Sequence, residues 1–201
     1  MIMGSDNNPA RKFHEYSKEA IDLFNKLEYE PNLLFKNMYE DPNIFIPKNE
    51  FEISGKDLKI GIRYDKKNTI TFKDGEVDIT KNNNLSIIPI KDSIDNDNTF
   101  YIMNEIDDKI EALITANMNT GFFINTAENT NDDLKIIYNL NQGNDILNKT
   151  VIFVTRGSHL KLIKMENGSS DNKSIRYETY NIYVENGASI EIIEMIDYNK
   201  N

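Results

Sequence analysis

Cysteine is missing from this chain of 201 residues. Its absence excludes a disulfide framework, a thiolate zinc site, a thiol nucleophile and a thiolate-held iron–sulfur cluster built from this chain alone. Positive charge is scarce. Lys and Arg number 23 against 33 Asp and Glu, a formal net charge of −10. Readers of nucleic acid need a basic footprint, and anionic membrane surfaces attract basic amphipathic helices, so neither partner is expected. No apolar run approaches the roughly 20 residues that span a bilayer. Residues 1–9 are polar and lack the hydrophobic core of a signal peptide, so the chain reads as cytoplasmic.

Histidine is nearly absent too, with only His14 and His159. Neither lies in HExxH or in a cluster with ligand spacing, and both read as solvated or hydrogen-bonded side chains. A metal role for His159 would need a nearby carboxylate. There is no GxSxG elbow for acyl transfer, no Walker A loop and no GxGxxG. Asp95-Asn96-Asp97-Asn98 begins like a calcium loop but lacks the Gly and the closing Glu that such a loop needs. In the last stretch Glu185, Glu191, Glu194 and Asp197 are candidates for acid/base work. Glu191 and Glu194 are three apart, so a regular strand puts them on opposite faces. All four read as outward, solvated charge. No catalytic, cofactor-binding or metal-ligating residue is assigned, and no enzyme activity is expected.

What the chain does have is a core-forming composition, 39% hydrophobic, in a length that suits one large domain or two small ones. Asn and Ile occur 29 times each. In so Asn-rich a sequence the sequons at Asn84, Asn148, Asn167 and Asn172 are expected by chance. The first part reads as helical. Asn8 is a good N-cap with Pro9 behind it, and Phe13, Tyr16, Ala20, Leu23, Phe24 and Leu27 form one apolar face. A second short helix is expected from Pro31 through Leu34, Phe35 and Met38, closed by Asp41-Pro42. These make an N-terminal helical region over 1–48.

From about Phe51 the period changes to short alternating runs rich in Ile, Val, Phe and Tyr, which is strand chemistry. Leu58–Ile60, Ile70–Phe72, Val77–Ile79 and Leu85–Ile90 are examples, with Asp92–Asn98 a polar loop. One helix is inserted at about 105–118. Asn104 can cap it, its apolar face is Ile106, Ile110, Leu113 and Ile114, and Gly121 is placed to end it. Residues 49–201 form the β region.

The most informative feature is a repeat. Ile152 to Met165 and Ile182 to Met195 match apolar on apolar and Gly157 on Gly187, at a spacing of 30. A fainter copy, Leu134–Ile137, resembles Leu160–Ile163 at a spacing of 26. Ile53–Ile60 around Gly55 and Ile70–Ile79 around Gly75 are weaker echoes. Strand–turn–strand units with this period predict a parallel β-helix, in which stacked coils bury a continuous core. The alternative is a pair of similar hairpins in an antiparallel sandwich or barrel. Stacking in register sets Lys161 on Glu191 and Lys164 on Glu194, two favourable rungs, but Lys135 on Lys161. Ile152, Val154, Leu160, Leu162, Ile182, Val184, Ile190 and Ile192 are expected to point inward.

The segment Asp108 to Ala116, then Gly121-Phe122-Phe123-Ile124, the strand Ile136–Tyr138 and the two units Val151–Glu166 and Asn181–Ile196 resemble, in this order, the SufB/SufD family of iron–sulfur cluster assembly proteins. The helical N-terminus resembles SufD more than SufB. The resemblance implies a right-handed parallel β-helix with an N-terminal helical region. It also implies a non-catalytic scaffold that assembles with a SufC-type ABC ATPase and a SufB-type partner. The chain corresponds to about the first half of the family's length, so none of the family's later cluster-associated positions carries over. Asn125 to Asp133 lacks the family's Pro-containing turn. A last coil with no cap exposes a strand edge, and two copies are expected to pair there through Ile182–Glu185 or Ile190–Ile193, antiparallel or offset. Other readings are a carbohydrate-acting or carbohydrate-binding β-helix, or a generic β module for protein interaction.

Overall fold

A computed structural model describes residues 9–27, 59–65, 67–73, 76–93, 106, 109–140, 146–169 and 176–199. The second N-terminal helix, the Gly55 and Gly75 turns and the Asp95–Asn98 loop lie outside these residues. Helix α1 is Pro9–Lys26. Strands β1 (Lys59–Tyr64), β2 (Asn68–Lys73), β3 (Glu76–Lys81) and β4 (Leu85–Pro89) follow, then a single helical turn, α2 (Ile90–Ser93). Helix α3 is Lys109–Asn117, and β5 (Thr120–Thr126), β6 (Asn131–Leu140), β7 (Ile146–Val154), β8 (His159–Ser169), β9 (Arg176–Val184) and β10 (Ser189–Asn199) complete the order.

The chain is mainly β, in two mixed and mostly parallel sheets. One has six strands in the order β1-β3-β2-β6-β8-β10, the other four in the order β4-β5-β7-β9. From β5 onward the chain alternates between the sheets. β6, β8 and β10 pair in parallel in the larger one, and β5, β7 and β9 in the smaller one.

The pairing follows the sequence repeat at its stronger end. Leu160 opposes Ile190 and Lys161 opposes Glu191, while Ile152 opposes Ile182 and Val154 opposes Val184, all at the spacing of 30. The upstream copy departs from expectation. Leu134 opposes Leu162, not Leu160, and Lys161 meets Asp133, not Lys135. The spacing there is 28, and the like-charge rung expected from a spacing of 26 does not arise. The echo across Ile70–Ile79 is also different. Thr69 to Lys73 pair antiparallel with Glu76 to Thr80, so this piece is a hairpin between β2 and β3.

Turn chemistry explains the register. Gly157 and Gly187 adopt φ of 70° and 75°, and Asn129 stands one step earlier at φ 57°. Gly and Asn enter this left-handed region most readily. Asn129, Gly157 and Gly187 are therefore one ladder of corners, spaced 28 and 30. Hydrogen bonds link the corners: Thr155 Oγ1 donates to the Thr126 carbonyl (2.8 Å), Ser158 Oγ to the Ala127 carbonyl (2.6 Å) and Ser189 N to the Ser158 carbonyl (2.9 Å).

The core lies between the sheets. Ile70, Phe72, Val77, Ile79, Leu134, Ile136, Tyr138, Leu160 and Leu162 from the larger sheet meet Leu85, Ile87, Phe122, Ile124, Ile146, Ile152 and Val154 from the smaller. Of the eight residues expected inward, Ile152, Val154, Leu160 and Leu162 are buried. Ile182 and Ile190 pack partly buried against the core. Val184 and Ile192 keep the inward register but are 45% and 50% exposed, because no described strand lies beyond β9 or β10.

Helix α3 packs on the outer face of the smaller sheet, against β7 and β9, and α1 packs on α3 and α2. With this cover on one face and the core on the other, β7 is buried along its length apart from Phe153, which is partly buried. Gly121 does not cap α3. It lies within β5, where a Cβ would sit 2.6 Å from the Lys149 carbonyl oxygen and 2.8 Å from Ile90 Cδ1. A close approach, not a helix end, requires glycine there.

Candidate functional site

The inward columns change character along the stack. In the larger sheet Ile79, Ile70 and Ile136 lead to Lys164 and Glu194, and Phe72 and Tyr138 lead to Glu166 and Ile196. In the smaller sheet Ile146 leads to Arg176, and Thr120 and Asn148 lead to Glu178. Apart from Asp132, which opposes Leu160 at the start of β6, the charged inward positions among the described residues lie on β8, β9 and β10. Parity in the sequence carries this signal: Arg176, Glu178 and Tyr180 share the face of Ile182 and Val184, as Lys164 and Glu166 share that of Leu160 and Leu162. The expectation that Lys164–Glu194 is a solvated rung is corrected accordingly. Lys164 lies inside, its side chain only 11% exposed.

These groups satisfy each other. Tyr138 donates its hydroxyl to Glu178 Oε2 at 2.6 Å and Tyr180 donates to the same oxygen at 2.9 Å. Lys164 pairs with Glu178 and, at 2.9 Å, with Glu194. Arg176 pairs with Glu166, stands 3.5 Å from Glu178 Oε1, and lays its guanidinium 4.8 Å from the centre of the Tyr138 ring. Phe72 stacks on the same Tyr138 ring, with centroids 4.5 Å apart. Burial alone would raise the Glu178 carboxyl. Hydrogen bonds from Lys164 and Tyr138 and the charges of Lys164 and Arg176 outweigh it and hold the group below its ordinary value. Burial, with Tyr180 and Glu178 alongside, pushes the Tyr138 phenol well up. The cluster, two cations among three carboxylates, is a plug that ties β6, β8, β9 and β10 together, with each charged group paired.

Beyond the plug the described strands stop. β10 ends the larger sheet and β9 ends the smaller, with no further described strand on either edge. Inward-facing Val184, Ile192 and Ile196 and outward-facing Met195 are 45–57% exposed there. On the outer face of the smaller sheet Phe123, Phe153 and Tyr183 stack at 6.2 and 5.0 Å, nearly parallel, and Tyr183 is the rung on β9.

The sequence candidates fall around this end without converging. Glu191 pairs with Lys161 at 3.6 Å on the outer face, while Glu194 points inward to Lys164. They stand on opposite faces and form no cooperating pair. Glu185 accepts the Arg156 backbone N–H at 2.8 Å. The Asp197 side chain lies outside the described residues, as does that of His14. His159 Nδ1 hydrogen-bonds Ser189 Oγ at 2.9 Å, a contact between the first residues of β8 and β10. Among the described residues no group of three His, Asp or Glu side chains could hold a metal ion, and no helix is long and apolar enough to cross a membrane.

A second buried ion pair went unseen in the sequence. Lys149, fully buried on the outer face of β7, donates to Glu111 Oε1 of α3 at 2.9 Å and to Thr115 Oγ1 at 3.1 Å. Asn181 of β9 donates to the same Glu111 oxygen at 3.2 Å. Burial lowers the Lys149 ammonium, and the Glu111 charge recovers part of that shift. This pair docks α3 on the sheet.

No protein-family model, curated protein or solved structure matches the chain.

Proposed function

We propose that this chain is a non-catalytic scaffold of the SUF iron–sulfur cluster assembly machinery, SufD-like and cytoplasmic, and that its two sheets form a right-handed parallel β-helix. The observation that carries the reading is the open end: two parallel edge strands, β9 and β10, present exposed Val184, Ile192, Met195 and Ile196. Apolar exposure beside unpaired strand edges marks an interaction surface. Support for the β-helix comes from the alternation of β5 to β10 between the sheets, with parallel pairing at spacings of 28 and 30. The order of motifs across 105–197 supports the family.

On this reading the partners are a SufC-type ABC ATPase and a SufB-type protein, and any cluster is cargo of the assembly. No residue of this chain is assigned as its ligand. Affinity purification of the tagged chain, co-expressed with a SufC-type ATPase and a SufB-type protein, tests the reading. A stable complex with either is expected. Retention of neither overturns it. Strands β5 to β10 closing as an antiparallel sandwich in a crystal structure would overturn the β-helix separately.

A further inference from the structure

Charge alternates across the larger sheet and stops on the same sign twice. On the outer face the rungs run Asp133, Lys161, Glu191, and on the inner face Lys164 is followed by Glu194. Both steps onto β10 are ion pairs, Lys161 with Glu191 and Lys164 with Glu194. The carboxylates of Glu191 and Glu194 remain about half exposed, at 50% and 47%. Between and beside them Ile190, Ile192 and Ile196 present the inward apolar positions, Ile192 and Ile196 more than half or half exposed.

A strand added to this edge in parallel would place one residue opposite each of these. Opposite Glu191 and Glu194, three apart, an acidic residue would be a like-charge rung and a basic one a favourable rung. Opposite Ile190, Ile192 and Ile196 an apolar residue continues the core. We propose that the outer edge of β10 is the docking site for an extended basic-aliphatic strand of a partner protein. The strand carries Lys or Arg at i and i+3 and aliphatic residues at i−1 and i+1. This rests on the reading of the open end as an assembly surface and names the chemistry of what covers it.

A second copy fits less well. Inward side chains must meet inward side chains, so an antiparallel self-pairing has its two-fold axis at a residue of β10. An axis at Glu191 or Glu194 sets each carboxylate on its own copy. An axis at Ile192 sets Glu194 on Ile190 and Glu191 on Ile193, which leaves both carboxylates without a cation across the edge. Only a basic strand continues both charge columns.

β8 has the required pattern, Leu160-Lys161-Leu162-Ile163-Lys164-Met165, and supplies the probe. A fluorescent synthetic peptide with the sequence of residues 158–169 is titrated with the full chain at low ionic strength, beside the same peptide with both lysines replaced by Glu. The lysine peptide is expected to bind at least about tenfold more tightly, a difference of about 1.4 kcal/mol. In the chain carrying Glu191→Lys and Glu194→Lys, with its circular dichroism unchanged, the preference is expected to invert. The comparison of the two peptides on the unaltered chain stands even if that variant does not fold. Equal affinities, or no binding of either peptide, overturn the proposal. A dimer in sedimentation that the lysine peptide does not dissociate also overturns it, and assigns the edge to a second copy. Loss of peptide binding with the ATPase or SufB-type complex intact would reject the basic strand and leave the scaffold reading standing.

Discussion

At the scale of single residues, the corners separate two effects that usually travel together. Gly157 and Gly187 share a left-handed backbone, so alanine at either costs the conformational strain of about 1–2 kcal/mol. Only Gly157 is also crowded: its Cβ would overlap the Asn129 side chain, while nothing lies within 4 Å of one at Gly187. Gly157→Ala is expected to lower the urea midpoint clearly more than Gly187→Ala. Equal losses would show that strain alone governs the corner. The strand between the corners offers a second contrast. Leu162 is buried in the core and Lys161, its neighbour, faces outward with its side chain 34% exposed. Leu162→Ala is expected to cost about 2–5 kcal/mol as a cavity, and Lys161→Ala less than about 1 as an exposed pair. Similar losses from chemical denaturation would contradict the inward register of β8.

At the scale of elements, what the sequence made legible depended on whether parity or spacing was in question. The unit Ile152–Met165 against Ile182–Met195 was legible because apolar pattern and glycine corner agree on 30. The upstream copy was misplaced by two residues, from 26 to 28. A slip of two preserves every inward side chain, so Leu134-Lys135-Ile136-Ile137 matches either register equally. Only the corner decides, and there Asn129 does the work of a glycine. Gly121 misled for the converse reason: glycine after a helix reads as a cap, and its crowding by Lys149 and Ile90 exists only once the sheet is assembled. The charges around Glu178 have inward parity in the sequence, yet five charges on inward faces are credible only when each is seen to meet a partner, as Tyr138 and Tyr180 meet Glu178.

The docking of α3 yields a prediction of its own. Lys149→Met removes the ammonium that stands 2.9 Å from Glu111 Oε1 and is expected to cost about 3–5 kcal/mol. Adding Glu111→Gln is expected to restore more than half of that loss, since a neutral amide no longer needs the charge. A double variant as unstable as the single one would mean that lysine packing, not the ion pair, holds α3. Alkaline pH adds a check. Lys149 holds its proton less tightly folded than at its ordinary 10.5. Between the lowered value and 10.5 the unfolded chain binds more protons, so this site adds stability as pH rises. The Met variant lacks that gain.

At the scale of the whole molecule, stability is distributed unevenly along the stack. β6 and β8 are paired on both edges and close an apolar core, whereas β10 is paired on one edge and its inward Ile192 and Ile196 are half exposed. Besides their ladders with β8 and β7, the last strands are tied in by the plug, through the contacts of Lys164 with Glu178 and Glu194 and of Arg176 with Glu166. The acid response follows from Glu178. Its folded value lies below the ordinary 4.5, so the stability it contributes is complete above 4.5 and is lost as pH falls toward and through the folded value. Protonation removes the charge that Lys164 and Arg176 share and weakens the acceptor that Tyr138 and Tyr180 use. Native-state hydrogen exchange at a series of acid pH values is expected to show β9 and β10 losing protection first, with β6 and β7 retaining theirs. Glu178→Gln, which keeps the hydrogen-bonding shape but removes the charge, is expected to flatten that dependence and to leave β9 and β10 weakly protected even at neutral pH. Simultaneous loss across β6 to β10 at every pH would show instead that the stack opens as one cooperative unit, with the plug no more than a part of its common core.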